Sequence, residues 1–124
     1  MLTLLAIAAG GAAGAVARYL VSVGVTSLAG RGFPYGTLTV NVSGSLLIGL
    51  LYVTMIERSL LSPEWRAALQ IGFLGAFTTF STFSLETVDL LSRGEVLRAS
   101  VNIVLSVFLC VAASAFGMMI GRQV

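Results

Sequence analysis

Long uncharged runs separated by short charged breaks divide this chain into four apolar stretches. About 20 apolar residues cross a bilayer, so the pattern predicts helices from about Leu2 to Leu28, Gly36 to Ile56, Ala67 to about Leu91 and Ala99 to Gly121. Arg18 interrupts the first of them. The connecting segments are short and rich in turn formers: 31–35 contains Gly32 and Pro34, 57–66 reads ERSLLSPEWR, and 92–98 reads SRGEVLR. Within the second, Ser62, Pro63 and Glu64 predict a helix start, as an N-cap, a first-turn proline and a first-turn acid. No second domain, low-complexity tract or long linker is visible. The expectation is an all-α membrane protein, one integral membrane domain over residues 1–124 embedded in a lipid bilayer.

The polar positions inside those spans are patterned. Gly72 to Ser84, GFLGAFTTFSTFS, places the hydroxyls of Thr78, Thr79, Ser81, Thr82 and Ser84 among phenylalanines. At bilayer depth each unsatisfied polar group costs several kcal/mol, so these side chains are expected to face protein, water or an ion. The same run from Thr78 to Ser84 is poor in helix formers, which predicts a local break whose freed carbonyls can hold a cation. On the second span Thr37, Asn41 and Ser45 recur every four residues and share a face. On the fourth, Asn102, Ser106, Cys110 and Ser114 do the same. A stripe of donors without fixed charge suits an anion that must bind and leave, although serines in membrane helices also bond their own backbone or a neighbouring helix. The electropositive ring edges of Phe80 and Phe83 suit the same task, set against the commoner role of such residues as core or lipid-facing bulk.

Composition narrows the chemistry. With 57% hydrophobic and 10% charged residues and a mean hydropathy of +1.02, the chain lies outside the range of soluble domains. It has no histidine and one cysteine, which removes a His/Cys metal site, a disulfide framework and a histidine relay within one chain. Cys110, in an apolar run without an activating histidine, reads as a small core residue, and no enzyme activity is expected. All seven basic residues are arginines and form no cluster, so no nucleic acid partner is expected. The first span lacks a basic leader before Arg18 and reads as a retained helix rather than a signal peptide.

Arginine placement bears on orientation. With four spans, Arg58, Arg66 and Arg122 share one side and Arg31, Arg93 and Arg98 the other. Three against three gives the positive-inside rule almost nothing to act on. Two readings stay open: insertion in both orientations with assembly of an antiparallel dimer, or a weak bias that still fixes one orientation. Four helices leave little room for an internal pore, which favours a path between subunits. Gly10, Gly11 and Gly14 on the first span, and Gly44 and Gly49 on the second, allow close helix contact between copies, within one chain, or both at once.

Together, GGAAGAVARY (Gly10 to Tyr19), GTLTVNVSGS (Gly36 to Ser45) and GFLGAFTTFSTFS closely resemble the Fluc/CrcB fluoride channels, in order and spacing along the whole chain. The resemblance implies a dual-topology antiparallel homodimer in the cell (inner) membrane, with a broken third helix, two separate pores and passive export of fluoride that protects the cell from its toxicity. It implies that Phe80, Phe83 and Asn41 line the pore with Thr79, and that Ser106, Cys110 and Ser114 form its fourth-helix track. Backbone carbonyls of Gly75 and Thr78 from both subunits would hold one structural sodium ion. Arg18 falls near an aqueous vestibule, and Glu86 takes a structural role in the dimer or near a pore mouth. A proton-coupled multidrug exporter of similar size would need a carboxylate deep in the membrane, and only Glu86 and Asp89, late in the third span, are candidates. A purely structural membrane subunit would leave the polar stripes as helix glue.

Overall fold

The computed structural model describes all residues from Met1 to Val124. It is all-helical, with four segments long and apolar enough to cross a membrane: Leu2–Ala29, Tyr35–Glu57, Pro63–Ser92 and Val96–Gln123. The first is the single helix α1 (Leu2–Ala29). The second is α2 (Tyr35–Tyr52), continued by a π-helical turn at Val53–Glu57. The third is composite: α3 (Pro63–Arg66), a π-helical stretch Ala67–Leu74, α4 (Gly75–Phe77) and α5 (Phe80–Ser92). The fourth is α6 (Val96–Gln123).

The expected boundaries lie within a few residues of these. Helices extend past the last apolar residue because their ends are closed by local chemistry rather than by polarity. Ser62 accepts a hydrogen bond from the Trp65 backbone N–H, with Pro63 in the first turn and Glu64 beside it, as the N-cap pattern predicts. Gly30 and Gly94, at φ 87° and 76°, take the left-handed conformations that end α1 and precede α6. Arginines tie loops to helix ends at both faces. Arg122 forks onto Glu57, its Nη2 2.6 Å from Oε1, while Arg98 donates to the Gly32 carbonyl at 3.1 Å.

Packing runs along two seams, α1 against the Ala67–Leu74 stretch and α2 against α6. Backbones meet where side chains are missing. A methyl group on Gly14 would collide with the Phe73 carbonyl, and one on Gly49 with the Ser114 carbonyl. These glycines serve packing within one chain, one of the two roles open to them from sequence. Val40, Val53, Met55 and Leu90 are almost fully buried, yet only 20 of 124 residues are buried in all. Leu5, Val16, Leu97 and Val104 stay exposed along α1 and α6. Apolar area on that scale needs lipid or another protein to cover it.

Candidate functional site

The third segment leaves helical geometry at two residues. Thr78 (φ −86°, ψ 157°) and Thr79 (φ −153°, ψ 117°) are extended, between α4 and α5. Hydroxyls stabilise both sides of this interruption. Thr78 returns its N–H and its Oγ1 to the Leu74 carbonyl, at 3.0 and 2.9 Å. Thr79 is the N-cap of α5: its Oγ1 accepts from the Thr82 N–H at 3.2 Å and donates to Thr82 Oγ1 at 3.1 Å. The two main-chain groups of Thr79 that leave the helix ladder are both taken by Asn41 of α2. Oδ1 accepts the Thr79 N–H at 2.7 Å and Nδ2 donates to the Thr79 carbonyl at 2.9 Å. Complementarity alone sets the orientation of that carboxamide, because an N–H must meet oxygen and a carbonyl must meet an N–H.

The clamp has a consequence for the neighbouring carbonyls. In an unbroken helix the Thr79 N–H would serve the Gly75 carbonyl; here it serves Asn41. No main-chain donor reaches the Thr78 carbonyl either. Gly75 lies at the surface of the single chain, so hard oxygen acceptors stand near an exposed face.

Beside the interruption lies a cavity of about 480 Å³. It gathers Asn41 from α2, Gly75, Thr78 and Thr79 from the interruption, Phe80 and Phe83 from α5, and Ser106 and Cys110 from α6. No residue on its wall carries a fixed charge. The two phenylalanine rings are inclined, with centroids 5.4 Å apart and planes at 47°. Phe83 is 9% exposed, whereas Phe80 is 77% exposed on the surface of one chain.

The fourth-helix stripe divides into different roles. Ser106 and Cys110 reach the cavity. Ser114 does not line it: its hydroxyl donates to the Ser45 carbonyl at 3.0 Å and joins α6 to α2. Asn102, 2% exposed, sits behind the wall. It donates to Thr87 Oγ1 at 3.0 Å and accepts from Ser106 at 3.4 Å, while Thr87 donates to the Phe83 carbonyl at 2.8 Å. This buried chain links the Ser106 hydroxyl to the backbone that carries Phe83.

Arg18 and Glu86 line a second cavity, of about 520 Å³, with Arg31, Thr37 and Thr82. Thr79 lines both cavities and so stands between a neutral chamber and a charged one. Arg18 forms no ion pair within the chain, all of whose salt bridges belong to Arg93, Arg98 and Arg122. Glu86 Oε1 is buried without a hydrogen-bond partner. Two wall or network residues escaped the reading of the sequence: Gln70, on the first cavity, and Thr87, behind it. Gln70 is the one carboxamide in the third span, a signal that was available in the chain itself.

Comparison with known proteins gives a consistent result. Residues 5–118 match the family model described as CrcB-like protein, Camphor Resistance (CrcB). The chain is 57% identical over 122 residues to the fluoride-specific ion channel FluC of Methylococcus capsulatus, covering 98% of this chain and 54% of that protein. It is 55% identical over 123 residues to the protein of the same name from Geobacter sulfurreducens, covering 99% of each. The counterpart from Geobacter metallireducens is 52% identical over 123 residues. The chain thus spans about half of the Methylococcus relative and nearly all of the Geobacter ones.

Proposed function

The chain belongs to the CrcB-like protein family, a multi-pass membrane protein among fluoride-channel relatives, and we propose on that footing that it is a fluoride-selective channel and not an enzyme. Fluoride leaves the cell passively, down its electrochemical gradient, and relief from fluoride toxicity follows. The observation that carries this reading is the wall of the first cavity, where neutral polar side chains and two phenylalanine rings meet without a fixed charge. A small, strongly hydrated anion needs its water replaced by donors, and a full positive charge would hold it too long. The exporter alternative loses support at the same place, because no carboxylate lines that wall.

The working assembly is an antiparallel homodimer with inward and outward copies. Its support is the near balance of arginines between the two faces and the character of the exposed surface at mid-span. There Phe80 and Gly75 are exposed beside a polar interruption, which cannot face hydrocarbon. A second copy related by a two-fold axis covers it and yields two equivalent paths. The discontinuous third helix at Thr78–Thr79 is the structural centre of that assembly.

A structural sodium ion fits the donors present. The Gly75 and Thr78 carbonyls are hard oxygen ligands without their helical partners. One chain supplies two such oxygens, too few for a hard cation, so the same carbonyls of the second copy, four oxygens in all, belong to the site. A cation held there would tie the interruptions of the two copies together.

Reconstituted protein in liposomes loaded with fluoride or chloride tests the reading. Rapid fluoride release without chloride release is the expected result; a well-assembled protein that releases neither, or both alike, would contradict it.

A further inference from the structure

Most polar side chains on the first cavity are already engaged within the chain. The Thr78 hydroxyl is given to the Leu74 carbonyl, the Thr79 hydroxyl to Thr82, and the Ser106 hydroxyl to Asn102. Asn41 commits its oxygen and one N–H to Thr79, which leaves one N–H. Cys110 offers a thiol, a weak donor. Ser45 has a hydroxyl and Gln70 a carboxamide on the wall, and neither side chain takes part in the chain's hydrogen bonds, the Ser45 carbonyl alone accepting from Ser114.

Local geometry puts Gln70 in this position. It lies in the π-helical stretch Ala67–Leu74, and its carbonyl accepts the Gly75 N–H, an i to i+5 bond. That wider turn stacks Gln70 against Gly75, itself a cavity residue. Its main-chain acceptor is therefore satisfied, whereas its side chain, exposed in the single chain, is not. An unpartnered carboxamide at bilayer depth is costly against lipid, so it belongs against water, protein or an ion.

We propose that the Gln70 carboxamide is a hydrogen-bond donor to the permeating anion, supplying the N–H capacity that Asn41 gives up to hold Thr79. This role rests on the channel reading above. It places an anion-contacting residue outside both the hydroxyl-rich segment and the fourth-helix stripe.

The test uses full-length protein in liposomes, with fluoride as the probe. Gln70→Leu should lower fluoride efflux by about tenfold, the loss expected of one hydrogen bond to an ion, with the wild-type elution profile retained. Gln70→Glu supplies a readout that a packing role would not move. Ionised, it presents only acceptors to the anion; protonated, it presents one O–H. Its efflux relative to wild type should therefore rise as pH falls over roughly pH 8 to 5, where a buried glutamate titrates. Cys110 is the one ionisable side chain on the native wall. Glu86, across Thr79 in the second cavity, is common to both proteins and cancels in the ratio. Wild type that passes no fluoride would overturn the channel reading itself. Wild type that passes fluoride and a Gln70→Leu variant that matches it would overturn only the role of Gln70. If the leucine variant assembles poorly, a Gln70→Glu to wild-type ratio that does not change with pH would overturn it instead.

Discussion

The two cavities that meet at Thr79 are nearly equal in volume, about 480 and 520 Å³, and opposite in electrostatic character. One is walled by phenylalanines, hydroxyls and carboxamides without a charge; the other holds Arg18, Arg31 and Glu86. The difference separates two tasks that a single chamber cannot combine. Fixed charge gathers ions from water over several ångströms but binds too strongly to let them pass. A neutral wall of donors discriminates at contact distance and releases. Between them stands Thr79, an extended residue whose main-chain N–H and carbonyl are both held by one side chain, Asn41.

Disabling that clamp should have the largest effect. Asn41→Leu keeps approximate volume but leaves the Thr79 N–H and carbonyl without partners. At about 1–3 kcal/mol for each buried unsatisfied group, roughly 2–6 kcal/mol of stability is lost. Thermal unfolding in detergent should show a large drop in midpoint, and fluoride efflux should disappear with it. Changing the charged chamber alone should do less. Arg18→Gln is expected to reduce efflux about threefold at low ionic strength and to approach wild type in high salt, because screening removes what the charge contributes. Efflux measured across a salt series checks this; a salt-independent defect would mean that Arg18 acts by packing. The smallest effect belongs to a residue outside both chambers. Ser114→Ala removes one hydrogen bond between α6 and α2, about 1 kcal/mol, and should leave efflux unchanged.

The contrast between Ser106 and Ser114 shows where the sequence stops being readable. Both belong to one i, i+4 stripe, and periodicity correctly puts them on one helix face. From Asn102 to Ser114 that stripe climbs about 18 Å, and different neighbours meet it at different heights: Thr87 of α5, then the cavity, then the Ser45 carbonyl of α2. Period fixes a face but not what stands opposite. The helices themselves were legible because bilayer thickness and charge gaps both act on chain length. The Ser62 cap was legible because capping is local. The glycines were half legible: small residues announce a close approach, and only the fold shows that Gly14 meets Phe73 and Gly49 meets Ser114 of the same chain. Asn41 was singled out as a donor in the anion path. Its two hydrogen bonds to Thr79 join residues 38 apart in sequence, a relation that no window on the chain contains. Gln70 was passed over because its surroundings, an unbroken apolar run, resemble ordinary helix packing.

If the assignment is right, fluoride passes through the neutral chamber rather than around it. Parallel efflux from liposomes containing wild type or Phe83→Ile tests it most directly, with the two proteins matched for assembly by elution volume. Isoleucine fills a similar space without an electropositive ring edge. Wild type should release fluoride fast and without chloride, and the variant should be slowed by at least about tenfold, a barrier change near 1.4 kcal/mol. Equal fluoride release from the two assembled proteins would contradict it and move the anion path away from this wall.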